Sequence, residues 1–466
     1  MTAISTRPPA WLDPDAIRAA VAQAQAPDSR RVAAILDKAA AMKGLAADEV
    51  AVLCGIEDPG QRDALFAAAR AVKEEIYGRR MVFFAPLYIS NLCGNECLYC
   101  AFRASNADVV RHALSLDEIR RETEILIDQG HKRVLMVAGE SYQGGFQWVL
   151  DAIAAIYSVK RGAGEIRRVN ANLAPLTVEQ FQRLHAAGIG TYQLFQETYD
   201  PEVYRAVHPG GRKADFNWRV TAFDRAMEAG IDDVGMGVLF GLADWRYEVL
   251  ALMRHIAHLE ERFGVGCHTI SVPRLEPAIG STMASHPPRP VSDSDFRKLV
   301  AILRLAVPYT GLIMSTRESA QMRRETYALG VSQISAGSRT NPGGYADAER
   351  FESSQFQLGD HRPLDAVVKE IAELGYIPSF CTACYRVGRT GGDFMDLAKT
   401  GEIKEKCGPN AVGTFLEYLI DYADPATRAA GEQAIAAEIA RMDDKDARVS
   451  RRLVDMVRDG KRDVFC

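Results

Sequence analysis

The residues best suited to chemistry in this sequence are its cysteines. There are nine in 466 residues. Six fall into two triplets: Cys93, Cys97 and Cys100, spaced CxxxCxxC, and Cys381, Cys384 and Cys407, a CxxC followed after 22 residues by a third thiol. Cys54, Cys267 and Cys466 are scattered. The opening MTAISTRPPAWLDPDA has no apolar core of the signal-peptide kind. No apolar run approaches the roughly 18–20 residues of a membrane span. A cytoplasmic location follows, and in a reducing compartment clustered cysteines point to metal rather than to disulfides.

Three thiolates on one short loop can hold three irons of a cubane and leave the fourth iron without a protein ligand. That open iron is a place for a substrate to chelate, as catalytic metal sites keep a position free. Structural zinc is the competing use of Cys93, Cys97 and Cys100, but zinc wants a fourth ligand, and His112 is the nearest candidate. The second triplet has the same chemistry open to it. A redox CxxC belongs in a thioredoxin-like β-α-β setting, and a zinc site again lacks a clear fourth ligand. A second Fe–S cluster with an open iron is the favoured reading.

The surrounding pattern says what must position these loops. Roughly the first 75 residues carry apolar positions at helical spacing, behind a start containing Pro8, Pro9 and Pro14 that reads as a flexible arm. From Met81 onward, eight short β-rich runs alternate with amphipathic stretches; the runs begin at Met81, Arg133, Ile166, Thr191, Asp232, His268, Thr310 and Val331. Ser115 with Glu118, and Thr177 with Gln180, fit capping boxes. Gly130, Gly188, Gly230 and Gly330 stand where helices should end. The pattern predicts an α/β fold, a (β/α)8 barrel of TIM type over residues 81–345. A helical extension (1–80) precedes it, and a helical, charged C-terminal domain (346–466) carries the second triplet. The first triplet follows the first barrel strand directly, at the end where barrel active sites are built. A net charge of −5 gives no reason to expect nucleic acid or an anionic membrane as partner.

CxxxCxxC with an aromatic residue before its last Cys resembles the signature of the radical S-adenosylmethionine (SAM) superfamily. Tyr99 holds the aromatic position and would pack near the adenine. Ala138-Gly139-Glu140 resembles the superfamily's GGE motif, which binds the SAM amino group, and Gly237-Val-Leu-Phe-Gly241-Leu-Ala-Asp244 resembles GxIxGxxE with Asp for Glu. CTACYRVGRTGGDFM from Cys381, with Cys407 at its spacing, is similar to the C-terminal part of the HydG family, the radical SAM tyrosine lyases that mature [FeFe]-hydrogenase. QLFQETYD, HTISVPRLEPA, STRES and QISAGSRT are similar to that family too.

The resemblance implies a [4Fe-4S] cluster at the first triplet that passes one electron to SAM. The 5′-deoxyadenosyl radical so formed abstracts hydrogen from L-tyrosine, and cleavage of Cα–Cβ gives p-cresol and dehydroglycine. The glycyl fragment goes on to carbon monoxide and cyanide at a second [4Fe-4S] or [5Fe-4S] cluster, the product leaving as an Fe–CO–CN unit on free L-cysteine. Implied partners are ferredoxin or flavodoxin as low-potential donor and the other hydrogenase maturation proteins.

Single residues carry more open readings. His268 is either a core histidine on its strand or, as the resemblance implies, a ligand of the extra iron. Cys267 beside it departs from the family and reads as an apolar filler. Arg317 could clamp the tyrosine carboxylate or pair with Glu318 or Glu197. Ser335 reads as a hydroxyl bonded to a nearby turn. Glu140, Glu197, Gln196 and Asn172 end strands and could contact SAM or tyrosine. Two further functions compete: 2-iminoacetate synthase of the thiamine pathway, which lacks the second triplet, and a non-catalytic Fe–S scaffold.

Overall fold

The computed structural model describes residues 8–142, 144–347 and 351–466. Eight parallel strands form the barrel: β1 (Arg80–Ser90), β2 (Arg133–Ala138), β3 (Arg168–Asn172), β4 (Tyr192–Glu197), β5 (Val234–Val238), β6 (Thr269–Ser271), β7 (Gly311–Met314) and β8 (Val331–Ser335). Each pairs with the next, and Val82, Phe83 and Phe84 of β1 pair with Gln333, Ile334 and Ser335 of β8 to close the ring. The expected eight-strand barrel is therefore the fold. The strands read as apolar runs because both faces are covered: every residue of β5 and β7 is buried.

Helices between the strands begin where the sequence signals them. Ser115 and Thr177 make reciprocal capping boxes with Glu118 and Gln180. Asp244 caps the 19-residue helix Trp245–Phe263 by accepting from the Arg246 amide. That role accounts for the Asp standing in the GxIxGxxE-like segment.

Four N-terminal helices, Pro14–Gln23, Ser29–Ala39, Ala47–Cys54 and Pro59–Tyr77, pack into the same apolar core as the barrel. Of the expected flexible arm, residues 1–7 lie outside the described residues. The rest is seated rather than loose. Leu12 is buried, Trp11 stacks on His255 and His258, and Asp13 caps the helix that Pro14 opens.

The C-terminal part is mostly helical but adds a ninth strand, β9 (Ile377–Ser379), to the barrel sheet. It pairs with Arg80, Met81 and Val82 of β1, below the point (Ala85) where β2 takes up its register. The helix Ile403–Asp421 is fastened to the barrel by Glu417, which is 1% exposed and takes Arg167 at 2.7 Å and Lys132 at 3.7 Å. Removing one partner of such a buried set costs about 3–5 kcal/mol, because charge is left unpaired. The pairing of β9 delivers Cys381 to the N-terminal mouth of the barrel, where Arg133, the first residue of β2, donates to its carbonyl at 2.7 Å.

Candidate functional site

The two triplets occupy opposite ends of one barrel. At the C-terminal end, Cys93, Cys97, Tyr99 and Cys100 line a cavity of about 190 Å³ together with Glu140 and Arg317. The cysteine loop is held from both sides. The Glu96 and Leu98 amides donate to the carbonyls of Gly210 and Val207, and Ser281 donates to the Leu98 carbonyl. Three N–H donors aim at sulfur: Asn95 Nδ2 to Cys93 Sγ at 3.6 Å, the Phe102 amide to Cys100 Sγ at 3.4 Å, and Gln355 Nε2 to Cys100 Sγ at 3.8 Å. Such donors stabilise thiolate charge and tune a cluster's potential. Burial, with the neighbouring thiols adding to it, pushes the Cys97 thiol up to about 12 and Cys100 to about 11. To ligate, the thiols would have to give up those protons, and a cationic cluster would supply the compensating charge.

His112 is not with the cysteines; its ring bonds Glu118 at 3.0 Å. Among the described residues, no three His, Cys, Asp or Glu side chains converge tightly enough to hold a single metal ion. Thiols spread around a cavity instead suit a cubane, whose irons sit at separate corners.

Glycines shape the wall around the loop. A Cβ on Gly139 would lie 2.2 Å from the Leu92 carbonyl oxygen, so only glycine lets β2 end against the cysteine loop. A Cβ on Gly237 would strike the Phe195 ring at 2.3 Å, so this glycine beds an aromatic wall of the cavity. Gly241, at φ +118°, turns the chain after β5. Ala138 and Gly139 line the cavity, whereas Glu140 is occupied: Arg219 Nη1 donates at 3.0 Å and Asn95 Nδ2 at 2.6 Å. Its carboxylate braces the cysteine loop through Asn95. Glu197 likewise takes Lys213 at 2.7 Å and Arg219 at 3.6 Å. Its backbone sits at φ +71°, a strained conformation of the kind that persists at functional sites.

Neither expected pairing of Arg317 occurs. Glu318 belongs to Arg274, at 2.8 Å, and Glu197 to Lys213 and Arg219. Arg317 lies over the Phe356 ring, 3.3 Å from its centroid, and has no carboxylate partner among the described residues. Ser335 accepts the Thr316 amide at 3.1 Å, as the turn-bonded reading expects. Asn172 lines the cavity; Gln196 is turned away to the Thr198 carbonyl. Tyr99 is buried, its hydroxyl 2.8 Å from His208 Nε2.

At the N-terminal end, Cys381, Cys384, Cys407 and His268 line one smaller cavity of about 50 Å³. The Ala383 amide donates to Cys381 Sγ at 3.4 Å, and the hydrogen bond from Cys407 lowers the Cys384 thiol to about 6. His268 packs on Phe394, and burial lowers it to about 4, so it stands as neutral imidazole able to ligate. Cys267 is fully buried in the apolar core, the filler that was expected. Between the two cavities the barrel interior carries polar side chains. Gln193 donates to Ser271 Oγ at 2.6 Å in the upper one, and Gln333 lines the lower.

A crystal structure of HydG, described as a maturase of the [FeFe]-hydrogenase, superposes on this chain with a TM-score of 0.94 at 48% identity, covering 98% of this chain and 100% of that one. The chain belongs to the HydG family of radical SAM enzymes. The HydG structure from Carboxydothermus hydrogenoformans agrees, with a TM-score of 0.83 at 40% identity over 95% of this chain and 97% of that one. A model of the radical SAM superfamily matches residues 87–253, and one of the biotin and thiamin synthesis associated domain matches residues 271–377. The 2-iminoacetate synthase of Escherichia coli (strain K12) is 31% identical over 353 residues, covering 75% of this chain and 90% of that protein. SAM and iron–sulfur are therefore its cofactors, and the residues around the cysteines fit them. No helix of the described residues is long and apolar enough to cross a membrane.

Several site residues carry no sequence signal strong enough to single them out. Asn95 sits inside the cysteine loop and was legible only as a spacer. Lys213 and Arg219 come from a segment after β4 that looks like any charged loop. Arg80, Arg133, Arg168 and Arg389 line the lower cavity, yet three of them begin strands as unremarkable basic residues.

Proposed function

We propose that this enzyme cleaves L-tyrosine between Cα and Cβ to p-cresol and dehydroglycine, and converts the glycyl fragment to carbon monoxide and cyanide at a second iron–sulfur cluster for the [FeFe]-hydrogenase active site. One observation carries the reading: two three-cysteine sites stand at opposite ends of a single barrel, with its interior between them. When bound, the first cluster and SAM supply a 5′-deoxyadenosyl radical. The chain's residues do the rest. Cys93, Cys97 and Cys100 hold the cluster, with Tyr99 beside the adenine and the β2 end at Ala138 and Gly139 taking the SAM amino group. Arg317, left without a carboxylate partner among the described residues, takes that of tyrosine by a bidentate pair. The closed barrel excludes water from radical chemistry.

In the same reading, residues 346–466 carry the second cluster on Cys381, Cys384 and Cys407, with His268 as ligand to an additional iron and free L-cysteine as carrier. Ferredoxin or flavodoxin supplies the electron, and other hydrogenase maturation proteins receive the product. The likeness to 2-iminoacetate synthase supports tyrosine as substrate and also keeps a second reading, release of dehydroglycine without carbon monoxide. Reduced enzyme incubated with SAM and tyrosine separates the cases. Deoxyadenosine, p-cresol and carbon monoxide together are expected. Cresol without carbon monoxide refutes the second step, and absence of deoxyadenosine leaves a non-catalytic scaffold.

A further inference from the structure

Behind His268 lies a buried carboxylate that the proposed chemistry does not use. Asp233 immediately precedes β5 and is 2% exposed. Its Oδ2 accepts the Tyr385 hydroxyl and stands 3.6 Å from His268 Nδ1 and 3.6 Å from Arg168 Nη2. Its Oδ1 and His268 Nδ1 are both buried without a hydrogen-bond partner. His268 itself lines the cysteine cavity. One ring nitrogen therefore looks back at the carboxylate while the imidazole borders the thiols. A neutral imidazole carries one N–H, and the partner of that N–H decides which nitrogen keeps its lone pair. Metal-binding histidines are commonly fixed this way, by a carboxylate on the far nitrogen.

We propose that Asp233 is a positioning residue for His268: it receives the Nδ1–H, and so holds the Nε2 lone pair toward Cys381, Cys384 and Cys407. Tyr385 makes the arrangement depend on the second triplet. It follows Cys384 directly and reaches Asp233 from the cysteine segment. Its ring lies under the Arg168 guanidinium at 3.3 Å, and its hydroxyl accepts from Arg168 Nη2 and sits 3.2 Å from Thr191 Oγ1. Seating the cysteine segment thus gives Oδ2 of the carboxylate that orients the imidazole its hydroxyl donor. The cysteine segment 381–384 is thus joined through Tyr385 and one acid to His268, the residue just before β6.

The inference rests on the reading of His268 as a ligand at the second site, and the test separates the two. The full-length enzyme is prepared with ¹⁵N-histidine in a Cys97→Ala background, so that only the second cluster contributes a paramagnetic signal. Pulsed electron paramagnetic resonance then reads the ¹⁵N hyperfine coupling, and iron is counted. The parent protein should show a histidine coupling that His268→Ala abolishes. Asp233→Ala should lose most of it and Asp233→Asn, which keeps the buried volume, part of it. In both, the iron held by three intact cysteines stays at the parent level; Asp233→Glu should restore the coupling. Tyr385→Phe should weaken it less than Asp233→Ala. If both Asp233→Ala and Asp233→Asn keep the full coupling, the positioning role is overturned; if Tyr385→Phe matches the parent, its part in it is. If the parent shows no histidine coupling at all, the ligand reading of His268 fails first.

Discussion

The two ends of the barrel hold three thiols each but are charged in different ways. At the upper end the cations are already matched. Arg219 pairs with Glu140 and Lys213 with Glu197, which leaves Arg317 as the guanidinium free of a carboxylate among the described residues. At the lower end Arg80, Arg133, Arg168 and Arg389 all line the cavity, no Asp or Glu among the described residues does, and Asp233 stands behind the imidazole. Burial is severe enough there to lower Arg133 to about 9. A neutralised wall with one spare cation suits a zwitterionic substrate, whose carboxylate needs a single partner. A wall of guanidiniums suits what the proposed chemistry collects: thiolates and anionic product in a low-dielectric pocket, where opposite charges attract most strongly. The carboxylate-bearing glycyl fragment made at one end would be drawn to the other by charge as well as by metal.

Breaking the upper end should have the largest effect. Cys97→Ala leaves two thiols, and deoxyadenosine and p-cresol should both fall to background; normal yield of either would refute the radical SAM assignment of this triplet. Breaking the lower end should be selective. Cys384→Ala should keep p-cresol formation while carbon monoxide drops more than about tenfold, and iron should fall from near two cubanes, about eight per chain, to about four. Loss of p-cresol in a well-folded Cys384→Ala enzyme with its first cluster present would show that the ends do not divide the work. That outcome has a physical route, since β9 and Glu417 bind the cysteine segment to the barrel itself.

The difference between the ends was only partly legible in the sequence. The barrel was, because a period of strand and helix repeated eight times leaves little choice of fold. The gathering of the first three thiols was, because CxxxCxxC places them on one short loop. Charge pairing was not. Glu140 and Glu197 read as strand-end acids open to SAM or tyrosine, or for Glu197 to Arg317, but Arg219 and Lys213 reach them from other segments of the chain. His268 could be read either way because nothing local reveals what the residue just before β6 faces. Arg80, Arg133 and Arg168 become one charged wall only when the barrel closes, and β9 was invisible as part of the sheet because three residues carry no period.

A smaller effect should sharpen the role of the spare cation. Arg317→Met removes charged hydrogen bonds worth about 1.5–3 kcal/mol. The KM for tyrosine should rise roughly 10- to 150-fold, with SAM binding and iron content unchanged. An unchanged KM would mean that the tyrosine carboxylate is held elsewhere.

The mildest perturbation should reach the upper end through pH. Glu248, on the helix Trp245–Phe263, is 1% exposed and holds the chain just beyond β4, accepting the Thr198 hydroxyl and, at 2.8 Å, the Tyr199 amide. Burial raises it from 4.5 to about 8. The sign follows from linkage: a group whose folded value lies above its unfolded one binds more protons in the folded state between the two. Its contribution is full below about 4.5 and lost as pH rises through about 8. Glu197, strained and paired to Lys213, sits one residue before Thr198, so ionising Glu248 should loosen the upper cavity first. SAM affinity should weaken several-fold between pH 7 and about 9 in the natural enzyme, and the melting temperature should fall over the same window. Glu248→Gln, neutral at every pH, should flatten both profiles. Iron bound by Cys381, Cys384 and Cys407 should not follow this titration, because Glu248 braces the opposite end. A Glu248→Gln enzyme with the same pH profile as the natural one would show that the upper end owes its pH response to another group, and parallel loss of iron from both triplets would show that the ends loosen together.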